Sequence, residues 1–168
     1  MADVLFLSET VLKQQSILQD NVDMKVVTPI IREVQYYYVL PILGTSLYND
    51  LITKVTNSTL SNAEKDVLDD YIIPCMVQYC KYELPMVMNY KYFNKSVGVQ
   101  NSDNMNPASL DEIRAIEDRA KNKAEWYAER LTKHLLANPE TFPLHLSQPN
   151  SDIDTIYAKK TNYTSGMW

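Results

Sequence analysis

Apolar positions recur at helical spacing along most of this chain and at strand spacing almost nowhere. Ser8 is placed to cap a short first helix over about residues 9–18, where Val11, Leu12 and Leu18 form a weak stripe. Ile30, Ile31, Val34, Tyr37 and Tyr38 predict a second helix over about residues 23–39. Its cap is Asp23 or, for a later start, Thr28 ahead of Pro29. Pro41 is expected to limit it, because the residue before a proline is pushed out of the helical region. Leu43-Gly44-Thr45 reads as a turn, with Thr45 capping a third helix over about residues 46–56. Leu47, Tyr48, Leu51, Ile52 and Val55 give that helix the cleanest amphipathic stripe of the chain. Ser61-Asn62-Ala63-Glu64 matches a capping box and opens a helical stretch to about residue 91. Pro74 and Pro85 are expected to kink it or split it near residue 73.

Tyr92 to Asn106 carries no helix signal, and Ser96-Val97-Gly98-Val99-Gln100 reads as the tip of a small hairpin. Asn106-Pro107 is expected to start the last helix, with proline in its first turn, and Asn138-Pro139 to stop it. Leu110, Ile113, Ile116, Ala120, Ala124, Tyr127, Leu131 and Leu135 recur every three or four residues along it, and Glu117 to Lys121 is a favourable i, i+4 pair. Three prolines and scattered large apolar groups mark residues 139–168. The expected fold is all-α: a small bundle of four to five helices over residues 1–138, a long projecting loop or hairpin at 92–106, and an extended C-terminal arm over 139–168.

The stretch from Tyr71 to Tyr90 is apolar or aromatic on nearly every side. Such a helix must be covered all round. Either it is wholly internal, or a face rich in Tyr and Met meets another subunit, with Tyr79, Tyr82 and Met86 as candidates. The tail, with Ile153, Ile156, Tyr157, Tyr163 and Trp168, carries more large apolar groups than a solvated tail needs.

Composition narrows the chemistry. The 168 residues carry a formal net charge of −5 and two histidines, a poor footing for tight phosphate binding. A helix-turn-helix reading lacks a basic recognition helix, since residues 46–56 carry only Lys54. Three glycines, Gly44, Gly98 and Gly166, stand too far apart for a phosphate-cradling loop. Adjacent carboxylates such as Asp69-Asp70 diverge by about 100° on a helix and share no site. His134 has Arg130 one turn before it rather than a second ligand, and Cys75 and Cys80 read as buried inert thiols. No nucleophile–base set or HExxH emerges, so neither an enzyme nor a cofactor is expected. The N-terminus is no secretory signal and no stretch approaches a membrane span, which points to assembly in a cytoplasm.

Ile31-Arg32-Glu33-Val34-Gln35, followed by Leu40-Pro41-Ile42-Leu43-Gly44-Thr45-Ser46-Leu47-Tyr48 and Leu51, resembles the small helical head-to-tail adaptor proteins of tailed bacteriophages. The nearest likeness is to those of phages of gut Bacteroidetes, including the crAss-like group. Ile73-Pro74, the loop Asn94 to Val99 and Ala124 to Leu131 extend the resemblance over roughly residues 5–140. It implies a non-enzymatic virion protein that forms a ring, usually a dodecamer, at the portal vertex. Such a ring joins the portal protein to the next neck or tail protein and extends the DNA channel. The resemblance places the 92–106 loop, with Lys95, Val97 and Val99, against a neighbour or the lumen, and the arm on the portal. A ring closed by head-to-tail contacts needs two different surfaces per subunit. An acidic chain suits a lumen through which DNA slides without sequence-specific binding. The contrasting reading is a soluble helical protein-binding module, such as an assembly chaperone or regulator.

Overall fold

The computed structural model describes residues 4–16, 18, 22–93, 96–99, 109–146 and 155–158. The elements run α1 (Glu9–Gln15), α2 (Met24–Val34), a π-helical turn (Gln35–Val39), α3 (Leu40–Leu43) and α4 (Thr45–Asn57). They continue with α5 (Asn62–Val67), a second π-helical turn (Leu68–Ile72), α6 (Ile73–Asn89), the strands β1 (Tyr90–Phe93) and β2 (Ser96–Val99), α7 (Leu110–Ala137) and a 3-10 turn (Pro143–His145). The fold is all-α. Its β structure among the described residues is one antiparallel hairpin, with Tyr90 opposite Val99 and Phe93 opposite Ser96. Ser96 to Val99 is therefore the hairpin's second strand and not its tip.

The two π turns answer the proline problem in the same way. Each ends two residues before a proline, at Val39 before Pro41 and at Ile72 before Pro74. A proline inside a helix lacks its amide and crowds the carbonyl four residues back. A π turn widens the helix there: Leu40 N–H reaches back to Gln35 O, and Ile73 N–H to Leu68 O. Hence Pro41 does not end the second helix, which continues as α3 to Leu43. The disruption expected near residue 73 is a widened turn at 68–72 rather than a break. Pro85 lies inside α6, which runs on to Asn89.

Capping follows the sequence in most places. Ser8, Asp23 and Ser61 accept from the amides of Val11, Lys25 and Glu64, and Glu64 closes its capping box. Two ends differ from expectation. The last helix starts at Leu110 behind a second capping box, Ser109 with Glu112, and the expected Asn106-Pro107 start lies outside the described residues. Thr45 does not cap α4. The cap position is Gly44, and the Thr45 hydroxyl is engaged elsewhere.

α6 and α7 form the most extensive packing in the protein, and they run antiparallel. Arg130 reaches Asp70 O at one end, and the charges of Lys81 and Lys123 face each other further along. The first π turn packs on α6 through Tyr38, whose ring stacks on Tyr79 at 3.9 Å and whose hydroxyl donates to Glu83. Leu7, Leu12, Ile31, Val34, Leu43, Leu51, Ile72, Met76, Leu131 and Leu135 are fully buried among these helices. Each such side chain contributes roughly 1.5–3 kcal/mol of transfer free energy. On α7 the ion pairs are Lys121–Glu125 at 4.0 Å and Lys133–Glu129 at 2.6 Å. Lys121 thus turns forward to Glu125, not back to Glu117. Burial and the nearby Glu83 and Asp118 raise the Glu117 carboxyl above its usual value.

Candidate functional site

The run from Gln35 to Tyr48 holds both ends of the described chain. Gln35 is buried, and a buried amide must find partners for its donors and its acceptor. Its Oε1 accepts from Phe6 N–H at 2.7 Å, and its Nε2 donates to Val4 O at 3.0 Å and to Tyr48 Oη at 2.8 Å. Phe6 then meets the Tyr48 ring edge-on, with centroids 5.6 Å apart. One amide therefore fixes the N-terminal segment against α2 and α4.

The C-terminal segment is held at the next corner. Gly44 has φ +76, which its missing side chain permits. A Cβ at this position would lie 3.0 Å from Ala158 N and 3.1 Å from Ala158 Cβ, so the glycine also admits the arm. Beside it, Thr45 N–H donates to Ile156 O at 2.9 Å, and Ile156 N–H donates to Thr45 Oγ1 at 2.8 Å. On the other side of the corner His145 is buried, with Nδ1 3.3 Å from Leu43 O. A carbonyl only accepts, so Nδ1 carries the proton in this contact, and Nε2 is buried without a hydrogen-bond partner. Burial holds the His145 pKa below the ordinary value, against the smaller opposing effect of the Leu43 contact. Phe142 is buried too. The arm expected to begin at residue 139 therefore starts as part of the packed body, and residues 155–158 return to the Leu43-Gly44-Thr45 corner.

At the far end of the α6–α7 pair the surface stays open. Cys75, Met76, Val77, Tyr79, Cys80 and Leu84 are buried, whereas Met86, Val87 and Met88 are exposed. A cavity of about 390 Å³ lies between the end of α1, α6 and the first half of α7. Leu18, Leu84, Pro85, Met88, Ile116 and Ala120 give it an apolar floor, and Lys81, Arg119 and Lys123 stand around it. Those three cations form no ion pair among the described residues. Burial and the Lys123 charge push the Lys81 pKa down. On the opposite face of α6, Tyr36 and Tyr37 project from the first π turn, and Tyr37 is 71 % exposed.

The sequence-predicted interface residues divide accordingly. Met86, Ile156 and Tyr157 are exposed, and Tyr82 is half-buried against the core. Tyr79 is a correction: stacked on Tyr38 and only 8 % exposed, it is covered by its own chain and offers no surface to another. Val97 and Val99 lie on β2. Lys95, Ile153, Tyr163 and Trp168 lie outside the described residues. Sequence reasoning missed Gln35, Tyr36, Tyr37 and the groove. For Gln35 the available signal was an amide on the apolar side of an amphipathic helix.

The reactive side chains are quiet. Cys75 and Cys80 are free and buried, and burial raises both thiols far above the range of a useful thiolate. His134 stacks on Tyr71 at 4.0 Å, and the Arg130 guanidinium lies 4.1 Å from the same ring. Among the described residues no group of His, Cys, Asp and Glu is placed to hold a metal ion, and no helix is long and apolar enough to cross a membrane. A family model described as a family of unknown function (DUF6712) matches residues 39–155. No curated protein and no solved structure matches the chain.

Proposed function

The chain belongs to the DUF6712 family, and we propose that it is a non-enzymatic structural virion protein, a ring-forming adaptor between a phage portal and the next neck or tail protein. In this reading the site of action is the virion neck, reached after assembly in the host cytoplasm. The ring extends the DNA channel, and DNA passes through without sequence-specific contacts. One observation carries the proposal: a folded body with a formed apolar core still exposes Tyr36, Tyr37, Met86, Val87, Met88, Ile116 and Trp126. Large apolar groups gathered on two sides of a small protein mark surfaces for other chains. The resemblance carried by Leu40 to Tyr48 adds the identity of those chains, and its physical content is a corner that organises both ends of the protein.

Co-expression with the cognate portal protein, followed by negative-stain imaging, tests this. The proposal expects a ring of this chain seated on the portal, usually a dodecamer. Portal assemblies that never retain the chain count against it. They favour the soluble binding module, which predicts a self-sufficient monomer or dimer.

A further inference from the structure

We propose that the Tyr36–Tyr37 projection of one copy of this chain docks into the α6–α7 groove of the next, with its Glu33 facing Lys81, Arg119 and Lys123. The proposal deepens the ring reading, and it rests on that reading only for closure of the contact into a ring. Tyr37 is the most exposed large apolar side chain among the described residues, and Tyr36 beside it is 45 % exposed. Glu33, one helical turn before Tyr37, is exposed and forms no ion pair among the described residues. An aromatic pair with a free carboxylate is thus displayed on one side of the molecule.

The groove is its chemical complement. It offers apolar walls, with Met88 and Ile116 both exposed, room of about 390 Å³, and three cations without an ion pair among the described residues, on a chain of net charge −5. An aromatic group buried there gains apolar area, and the carboxylate supplies the anion that the cations lack. The projection cannot fill its own groove. Tyr37 packs edge-on to Tyr38 at 5.0 Å, and Tyr38 lies on the Tyr79 and Glu83 face of α6. Lys81 sits two residues from each of these, about 200° of rotation away. The occupant is therefore another chain, and this chain itself carries the matching surface. Two different surfaces on opposite faces give head-to-tail association rather than a closed dimer.

A charge swap on the full chain tests the contact by sedimentation velocity, with circular dichroism confirming that each variant folds. Wild type should self-associate, and less so at high salt. Glu33→Lys alone and Lys81→Glu/Lys123→Glu alone should each weaken association at least tenfold. Mixing the two variants should restore it, because reversed projection then meets reversed groove and intact meets intact. Wild-type chains that do not associate, or a mixture that stays apart, overturn the contact. Binding of a Glu- and Tyr-containing peptide of foreign sequence without any pairing of copies assigns the groove to another protein and also overturns it. Rings on the portal that are unmoved by both variants sink the contact and leave the ring reading standing. Restored association that yields only open chains supports the contact and sinks the ring.

Discussion

The α2–α4 corner and the far end of the α6–α7 pair draw on similar residues, aromatic, aliphatic and polar, and end in opposite states. At the corner the buried Gln35 amide and the Thr45 hydroxyl have found partners within the chain: Gln35 with Val4, Phe6 and Tyr48, and Thr45 with Ile156. At the α6–α7 end Lys81, Arg119 and Lys123 form no ion pair among the described residues, and Met86 and Met88 are exposed. Within one helix, Met76 is fully buried and Met88 is 41 % exposed. The difference teaches where stability and association reside. The corner closes the protein on itself, and the open end leaves free energy of burial available to another molecule.

Substitutions that separate the two regions should differ most in α6. Met76→Ala should lower unfolding stability by about 2–5 kcal/mol, and Met88→Ala by less than about 0.5 kcal/mol, measured by urea titration. Comparable losses would mean that the α6 end is part of the core. At the corner, Gln35→Ala removes the partner of Phe6 N–H and Val4 O, and should destabilise by about 1–3 kcal/mol. Gly44→Ala should cost about 1–3 kcal/mol through its positive φ and its clash with Ala158. Removing residues 155–168 should return only the clash component, which a comparison of Gly44→Ala in full-length and shortened chains reads directly.

The smallest effect is on pH. His145 has its pKa lowered by burial from the ordinary 6.5, so the unfolded chain takes up a proton first as pH falls. Stability should therefore drop as pH falls below about 6.5, levelling once the folded ring also protonates. Glu64 acts in the same direction at lower pH. Burial raises its pKa, but Lys54 at 2.5 Å and the Ser61 hydrogen bonds outweigh this and hold it below 4.5. Thermal melts across this range should show a shallower acid slope in His145→Gln, the remainder coming from His134, whose pKa burial also lowers. An unchanged slope would remove His145 from the account of the corner.

Much of the fold was legible because it is local. The α4 stripe, the Ser61–Glu64 capping box and the buried thiols all follow from residues a few positions apart. The start of α7 was misplaced although Ser109-Leu110-Asp111-Glu112 carries the same capping pattern, because Pro107 is the more conspicuous signal. The π turns were hidden, since a proline announces trouble for a helix without saying how the backbone will resolve it. Local sequence favours Thr45 as a cap because a hydroxyl–amide bond within one turn is the usual outcome, and Ile156, 111 residues away, cannot be anticipated from sequence. The groove is drawn from Leu18, Lys81 and Ile116, so it exists only once three helices are packed. Tyr79 was assigned outward because an all-round apolar helix gives no face away, and Tyr38 turned out to cover it.

The central claim is that this body is completed by copies of itself. Native mass spectrometry of the full chain, alone and with the portal protein, tests it most directly. The account predicts mass steps of one 19.4 kDa chain that add up to a closed ring when the portal is present. A single 19.4 kDa species under both conditions would contradict it.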